Sequence, residues 1–195
     1  GWMALDSSFG QTARAMQQTG DIEKAIDTAR SAQVQFKIQV QEWKNTLLRS
    51  KDPAAFDKYR QAFINEGKAT QAHFDKLGKI LPALGLPTDK LKQTQQAHAD
   101  LIANYLAALR REYKTDDRDS VGRVDAAVKG MDRLPTQMID DIVQEVRTSS
   151  DRFRVDVAQE MLADYQVARL SLIVSIIVTL AFGSAVTFWL ITSIT

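Results

Sequence analysis

Basic and hydrogen-bonding side chains recur every three or four residues along one stretch near the beginning of the chain. Because this spacing places them on one face of a helix, they form a polar stripe that consists of Arg30, Gln33, Lys37, Gln41 and Lys44. Arginine binds an anion through a planar fork of donors, whereas lysine binds it as a point charge. The stripe therefore predicts either a solvated helix face or a site for a small anionic ligand.

A second group of polar residues lies in the segment DRLPTQMIDD, residues 132–141. Proline is favoured in the first turn of a helix, so Pro135 indicates that a last long helix begins between Asp132 and Pro135. Arg133, just before the proline, could add a further positive charge to the stripe. The pair Asp140-Asp141 falls in the first turns of this helix, where the dipole favours negative charge.

Residue types that carry out catalysis or bind metals are scarce. His73 and His98 lie on different predicted helices without the Glu-x-x-His pair of a di-metal bundle, so we expect them at surface or core-stripe positions. The chain has no cysteine, and it lacks the glycine loops and nucleophile motifs of common enzymes. We therefore predict a protein that is not an enzyme and needs no metal or cofactor.

The composition favours a helical protein with a sizeable core. The 195 residues are 45% apolar and carry 25 basic against 24 acidic side chains, which excludes a strongly basic surface and with it a nucleic-acid partner. Glycine and proline number only 9 and 4, and short β-branched runs bounded by turns are missing. The fold class that we predict is all-α.

Apolar residues at helical spacing predict three long helices in the first part of the chain. The first helix begins near Leu5 and ends before Pro53, the second ends in the breaker-rich LPALGLPTD, and Thr88 or Asp89 caps the third. Polar residues occupy some stripe positions: Gln33 in helix one, Glu66 and Thr70 in helix two, and Thr94 and His98 in helix three. The helix-one stripe is Ile22, Ile26, Ala29, Phe36, Val40, Trp43 and Leu47.

The last helix follows a short helical piece over residues 120–130. Its stripe runs without glycine or proline to Leu170, and residues 170–195 are uncharged and exceed the ~20 residues that cross a bilayer. The apolar end predicts a transmembrane helix rather than a buried core helix. We expect residues 1–169 to form an antiparallel up-down-up-down four-helix bundle whose fourth helix continues into the transmembrane helix. The last stripe is Ile139, Ile142, Val146, Ser149, Phe153, Val157, Met161 and Tyr165.

This pattern resembles the periplasmic sensor domain of bacterial methyl-accepting chemotaxis receptors. The likeness rests on the four-helix layout, on a fourth helix that runs into a spanning segment, and on Pro135-Thr136-Gln137, which matches a Pro-Thr-Gln near the start of the fourth helix in those receptors. The stretches VQFKIQVQEWKN, DPAAFDKY and FWLITSIT add to it. The resemblance implies a homodimeric sensor in the bacterial inner membrane, with its bundle in the periplasm and cytoplasmic signalling domains downstream.

The resemblance also implies a site for a small-molecule ligand, an organic acid or an amino acid, held by groups from the first helix and the start of the fourth. Thr136 and Gln137 follow from the matching tripeptide, and Arg30 follows from its position. The full set of predicted ligand-binding residues is Arg30, Gln33, Lys37, Arg133, Thr136 and Gln137. Binding would displace the last helix and so carry a signal across the membrane.

Two other interpretations fit the same sequence. The sensor module could belong to a membrane histidine kinase or a nucleotide cyclase rather than to a chemotaxis receptor. The chain could also be a membrane-anchored structural bundle that binds no small ligand. Glu66 and Thr70 on helix two and the polar stripe on helix one speak against the second interpretation, because both place polar groups where a purely structural bundle does not need them.

Overall fold

The computed structural model describes residues 2–194, apart from the side chains of residues 2–9, 11, 12, 188, 190 and 192–194. The described part of the chain is helical and contains no strand, which confirms the all-α prediction. Its elements are α1 (Trp2–Leu48), α2 (Pro53–Ile80), a 3-10 turn (Leu81–Leu84), α3 (Asp89–Glu112), α4 (Ser120–Val128) and α5 (Arg133–Ile194).

Local signals set most of the helix boundaries. The Asp52 carboxylate accepts from the backbone N–H groups of Ala54 and Ala55, at 3.0 and 3.3 Å, and so caps α2 ahead of Pro53. One boundary differs from the prediction, because the first helix already begins at Trp2 rather than near Leu5. Thr88 lies at the N-cap position of α3, as one of the two predicted residues, but its side chain makes no capping hydrogen bond.

Two glycines with positive φ follow helical segments. Gly85, with φ of 68°, ends the 3-10 turn after α2, and Gly130, with φ of 78°, lies between α4 and α5. An L side chain at such a φ clashes with its own backbone, so glycine is favoured there. These residues let the chain change direction within a few positions and confirm the predicted breaks.

The chain divides into two compact units, residues 1–150 and 151–195. In the first unit α1 packs against α2, α2 against α3, and α3 against α4. All five helices contribute to one hydrophobic core, to which α5 adds side chains of its first four turns. The residues that α5 contributes are Ile139, Ile142, Val143 and Val146.

An aromatic layer lies within this core. The Trp43 ring on α1 contacts Phe63 on α2 and Tyr105 on α3, with ring centroids 5.3 and 4.6 Å apart. Phe63 and Tyr105 are stacked at 5.8 Å. All three side chains are buried, and tilted or offset ring pairs of this kind stabilise beyond simple burial. The layer therefore ties three helices together.

The second unit consists of α5 from Asp151 onward. An 18-residue window of α5 has a mean hydropathy of 2.2, and none of it is buried. Within the described residues α5 is the one helix that is long and apolar enough to cross a membrane. The exposure of this segment in the structure fits the predicted transmembrane helix better than a buried core helix.

The apolar stripe of α5 is not buried along its whole length. Phe153 and Val157 are half-buried, while Met161 and Tyr165 are exposed by 69% and 65%, although their spacing predicted core positions. The helices α2 and α3 have 28 and 24 residues, whereas α5 has 62. Apolar spacing alone therefore overestimated how much of α5 is core.

Candidate ligand-binding site

The predicted stripe on α1 is mostly a solvent-facing surface. Arg30 and Lys37 are exposed, as are Gln41 and Lys44. Gln33 differs, because it is half-buried and donates from Nε2 to Asp140 Oδ1 on α5 at 2.6 Å. This hydrogen bond fixes Gln33 against the first turns of α5.

The predicted residues at the start of α5 are partly engaged in local structure. The Thr136 hydroxyl donates to the carbonyl of Asp132 at 2.6 Å, which stabilises the first turn of the helix. Arg133 and Gln137 are exposed, and the Arg133 side chain lies over Gly130. Since Asp140 follows Thr136 by one helical turn, the structure brings Gln33 close to the Thr136 level of α5.

Arg30 lies in a different place, on an open groove between α1 and α2. His73 is the α2 residue of this groove. The neighbouring Gln35 donates from Nε2 to Glu66 on α2, which pairs the two helices beside the groove. The groove contains neither Thr136 nor Gln137, so within one chain the structure separates Arg30 from them. The lining residues are Asp27, Arg30, Ser31, Val34, Gln35 and His73.

A second open groove runs between α2 and α3. Its lining residues are Gln71, Lys92, Gln95, Gln96, Ala99 and Ile102. The amides there are already used by the fold. Gln71 donates to the carbonyl of Gln95 at 3.1 Å, Gln95 donates to Asp75 at 2.8 Å, and Gln96 donates to Asp100 at 2.8 Å.

Below this second groove lies a buried polar layer that joins three helices. Nε2 of His98 on α3 is 2.7 Å from Oε1 of Gln39 on α1, and Nδ1 of His98 is 2.8 Å from Nε2 of Gln71 on α2. An amide oxygen can only accept and an amide nitrogen can only donate. With these amide orientations, His98 is a neutral imidazole with its proton on Nε2.

The surroundings of His98 keep it neutral. Its side chain is fully buried, and the rings of Phe36 and Phe74 meet it edge-on with centroids 5.4 and 5.8 Å away. Burial disfavours the charged imidazolium and lowers the pKa of His98 to about 4. The prediction of a core-stripe histidine at position 98 is confirmed.

Sequence reasoning missed the burial of Gln39. The predicted stripe used Val40, but the structure buries Gln39 completely and leaves Val40 half-buried. The spacing from Phe36 to Gln39 to Trp43 is three and four residues, so the helical period already marked Gln39 as a core position. Its polarity concealed the signal, because a buried amide is disfavoured unless it finds partners.

Comparisons with known proteins place this chain near one group. No protein-family model matches the chain, and no solved structure matches it either. The chain is 30% identical over 137 residues to the methyl-accepting chemotaxis protein CtpH of Pseudomonas aeruginosa. That region is 70% of this chain but 23% of the relative, so the chain spans about a quarter of the relative's length. The similarity supports the receptor family that Pro135-Thr136-Gln137 suggested.

Proposed function

We propose that the chain is the sensor part of a bacterial chemoreceptor in the inner membrane. Residues 1–169 form a periplasmic, antiparallel four-helix sensor domain, and residues 170–195 cross the membrane. The similarity to a methyl-accepting chemotaxis protein over 70% of the chain carries this proposal. The exposed apolar segment of α5 supports it, because an uncharged helical segment of this length and hydropathy fits the hydrocarbon core of a bilayer.

The ligand that we propose is a small carboxylate, either an organic acid or an amino acid. The free guanidinium of exposed Arg30 supports an anionic ligand, since no ion pair or hydrogen bond to it occurs in the described part of the chain. A ligand shifts an equilibrium only by its differential affinity for two arrangements, and a tenfold preference corresponds to about 1.4 kcal/mol. Because α5 is one helix from Arg133 to Ile194, a displacement near its start can reach the membrane segment.

The working unit in this proposal is a parallel homodimer with the two copies of α1 adjacent. The face of α1 opposite the core supports it, because Val34 and Ile38 are exposed by 54% and 39%. Together with neighbours at alternating spacings of four and three residues, they form a heptad-like stripe that suits a coiled-coil contact. This α1 face consists of Asp27, Ser31, Val34, Ile38, Gln41, Asn45 and Leu48.

Cysteine crosslinking tests the dimer in a chain that has no native cysteine. Val34→Cys and Ile38→Cys should form disulfides between copies in membranes, because they lie on the proposed contact face. Gln33→Cys should crosslink less, since its side chain points to Asp140. Lys76→Cys, exposed on α2, is the matched control and should stay reduced. Equal crosslinking at Lys76 and Val34 would contradict a specific α1 interface.

Binding tests the ligand. We expect a thermal-shift screen of organic acids and amino acids on the full chain in detergent to find a carboxylate that raises the transition temperature. Arg30→Ala should then weaken binding roughly ten- to hundredfold, because a charge-assisted contact is worth about 1.5–3 kcal/mol. Thr136→Val should weaken the binding free energy by about 1 kcal/mol if the neutral hydroxyl of Thr136 contacts the ligand. A screen without any carboxylate hit would count against the proposed ligand class.

A further inference from the structure

The two open grooves of the first unit differ in how the fold uses their polar groups. In the α2–α3 groove, Gln71, Gln95 and Gln96 all donate hydrogen bonds to other groups of the protein, and Lys92 is the lining donor without a partner among the described residues. In the α1–α2 groove, Gln35 donates to Glu66, whereas the side chains of Arg30, Ser31 and His73 have no hydrogen-bond or ion-pair partner among the described residues. Donors that the fold leaves unused can bind a ligand without first breaking an internal contact.

The charges in the α1–α2 groove have both signs. Asp27 precedes Arg30 by three residues on α1, so the two side chains leave the helix on neighbouring positions, yet the structure forms no ion pair between them. The groove therefore offers cationic and neutral donors from Arg30, Ser31 and His73, together with one carboxylate acceptor from Asp27. A plain dianion would meet repulsion from Asp27. A ligand that carries one carboxylate and one hydrogen-bond donor would satisfy both sides.

We infer that the ligand site lies in this α1–α2 groove of a single chain, with His73, Ser31 and Asp27 as ligand contacts beside Arg30. The ligand is a small carboxylate with a neighbouring ammonium or hydroxyl group. Arg30 and His73 bind its carboxylate, and Asp27 accepts a hydrogen bond from its donor group. This inference rests on the proposed carboxylate-sensing function and moves its site away from Thr136 and Gln137.

The groove borders the proposed dimer face, which gives binding a route to the partner copy. Asp27, Ser31 and Val34 belong both to the groove and to the exposed face of α1. A ligand that draws the side chains of Asp27 and Ser31 toward α2 changes what α1 presents to the second copy. Binding and dimer packing therefore share residues, and by linkage each affects the other.

Four small probes separate the contribution of the Arg30 guanidinium from that of the Asp27 carboxylate. Acetate carries only a carboxylate, glycolate adds a hydroxyl, glycine adds an ammonium, and succinate adds a second carboxylate. Titration calorimetry on the full chain in detergent should give tighter binding of glycine or glycolate than of acetate and succinate. Arg30→Gln and His73→Gln should each raise the Kd of the preferred probe tenfold or more. Asp27→Asn should abolish the preference over acetate.

Matched controls make the outcome specific. Lys68→Gln and Lys76→Gln, both on α2, remove exposed charges outside the groove and should leave the Kd within about twofold. All variants should keep the wild-type thermal transition, because the altered side chains are not part of the core. If Thr136→Val and Gln137→Ala weaken binding while His73→Gln and Asp27→Asn do not, the sensor binds its ligand near α5 and this site is wrong. If wild type binds none of the four probes at millimolar concentration, the proposed carboxylate-sensing function fails with it.

Discussion

Two neighbouring layers of the same core hold the helices together by different means. At Trp43, rings from α1, α2 and α3 pack against one another and bury apolar surface. One turn earlier, at Gln39, the same three helices meet through hydrogen bonds among Gln39, His98 and Gln71. Each layer takes one side chain from each helix, yet one layer packs aromatic rings and the other joins its side chains by hydrogen bonds.

The two layers differ in how strictly they fix the positions of the three helices relative to one another. Apolar packing is non-directional and tolerates small shifts of one helix against another. The polar layer has fixed donors and acceptors. Each layer also holds one buried donor without a partner among the described atoms, Nε2 of Gln39 in the polar layer and Nε1 of Trp43 in the aromatic layer, and such a donor costs free energy in both. The aromatic layer therefore stabilises through the burial of its rings, while the polar layer defines the register of α1, α2 and α3 through the direction of its hydrogen bonds.

Trp43→Ala should produce the largest change. It removes a buried ring that contacts Phe63 and Tyr105 and leaves a cavity, which typically lowers the free energy of unfolding by about 3–5 kcal/mol. Denaturant unfolding followed by circular dichroism measures it. Leu48→Ala on the same helix, at a residue 76% exposed, should stay within about 0.5 kcal/mol. A loss below about 1 kcal/mol at Trp43 would show that the aromatic layer is not the stabilising one.

Lowering the pH should destabilise the protein through His98 in the polar layer. The pKa of His98 is about 4 in the folded protein and 6.5 in the unfolded reference, so the unfolded state binds the extra proton first as the pH falls. The free energy of unfolding is therefore highest above pH 6.5 and decreases toward pH 4. Since one pKa unit corresponds to about 1.4 kcal/mol, the decrease at pH 5 should be about 2 kcal/mol.

The variant His98→Leu isolates this effect. It removes the titrating group, so its unfolding free energy should change less between pH 6.5 and pH 5 than that of wild type, whatever its absolute stability. Denaturant unfolding at both pH values gives the comparison. An unchanged pH slope in His98→Leu would remove His98 as the origin of acid sensitivity.

Gly67→Ala should test how tightly the polar layer is packed. A Cβ at Gly67 would lie 2.5 Å from Nε2 of Gln39 and 2.8 Å from Cδ1 of Ile102. We therefore expect overpacking to lower the free energy of unfolding by about 1–3 kcal/mol. The same change at Gly78, also on α2, meets only Leu91 at an ordinary 3.5 Å. Gly78→Ala should therefore stabilise by up to about 1 kcal/mol through helix propensity.

A double variant assigns the cost of Gly67→Ala to the right neighbour. Adding Gln39→Ala removes the amide that the new Cβ would meet, so the two changes together should cost less than the sum of each alone. Thermal unfolding of the two single variants and the double variant completes the cycle. Additive costs would show that Ile102, and not the polar layer, limits the space at Gly67.

The helical elements followed from the sequence because their signals are local. The Asp52-Pro53 boundary, the break at LPALGLPTD and the start of α5 at DRLPTQ depend on caps, prolines and glycines that act within a few residues. The uncharged run from residue 170 likewise identifies itself by length and composition. The core positions of Thr70, Thr94 and His98 also followed, since each interrupts an apolar stripe at the correct spacing.

The sequence predicted the candidate site less completely than the helices. The sequence placed Arg30, Gln33 and Lys37 on one face, but that face borders two neighbours in the structure. Gln33 bonds to Asp140 on α5, whereas Arg30 lines a groove with His73 on α2. A helical period gives the direction in which a side chain leaves the axis of its own helix. It does not say which neighbouring helix lies in that direction.

The sequence by itself determined which segments are helices, most of their boundaries, and which segment could enter a membrane. The reason is that hydrogen bonds within a helix and the hydrophobicity of a segment are properties of contiguous residues. Only the tertiary structure decided that Gln39 pairs with His98, that Gln33 pairs with Asp140, and that Asp27, Arg30 and His73 share a groove. Gln39 and His98 are 59 residues apart in the chain, and Gln33 and Asp140 are 107 apart. His73 is more than 40 residues from both Asp27 and Arg30. Their proximity results from the packing of helices, in which the joint fit of many side chains chooses each neighbour.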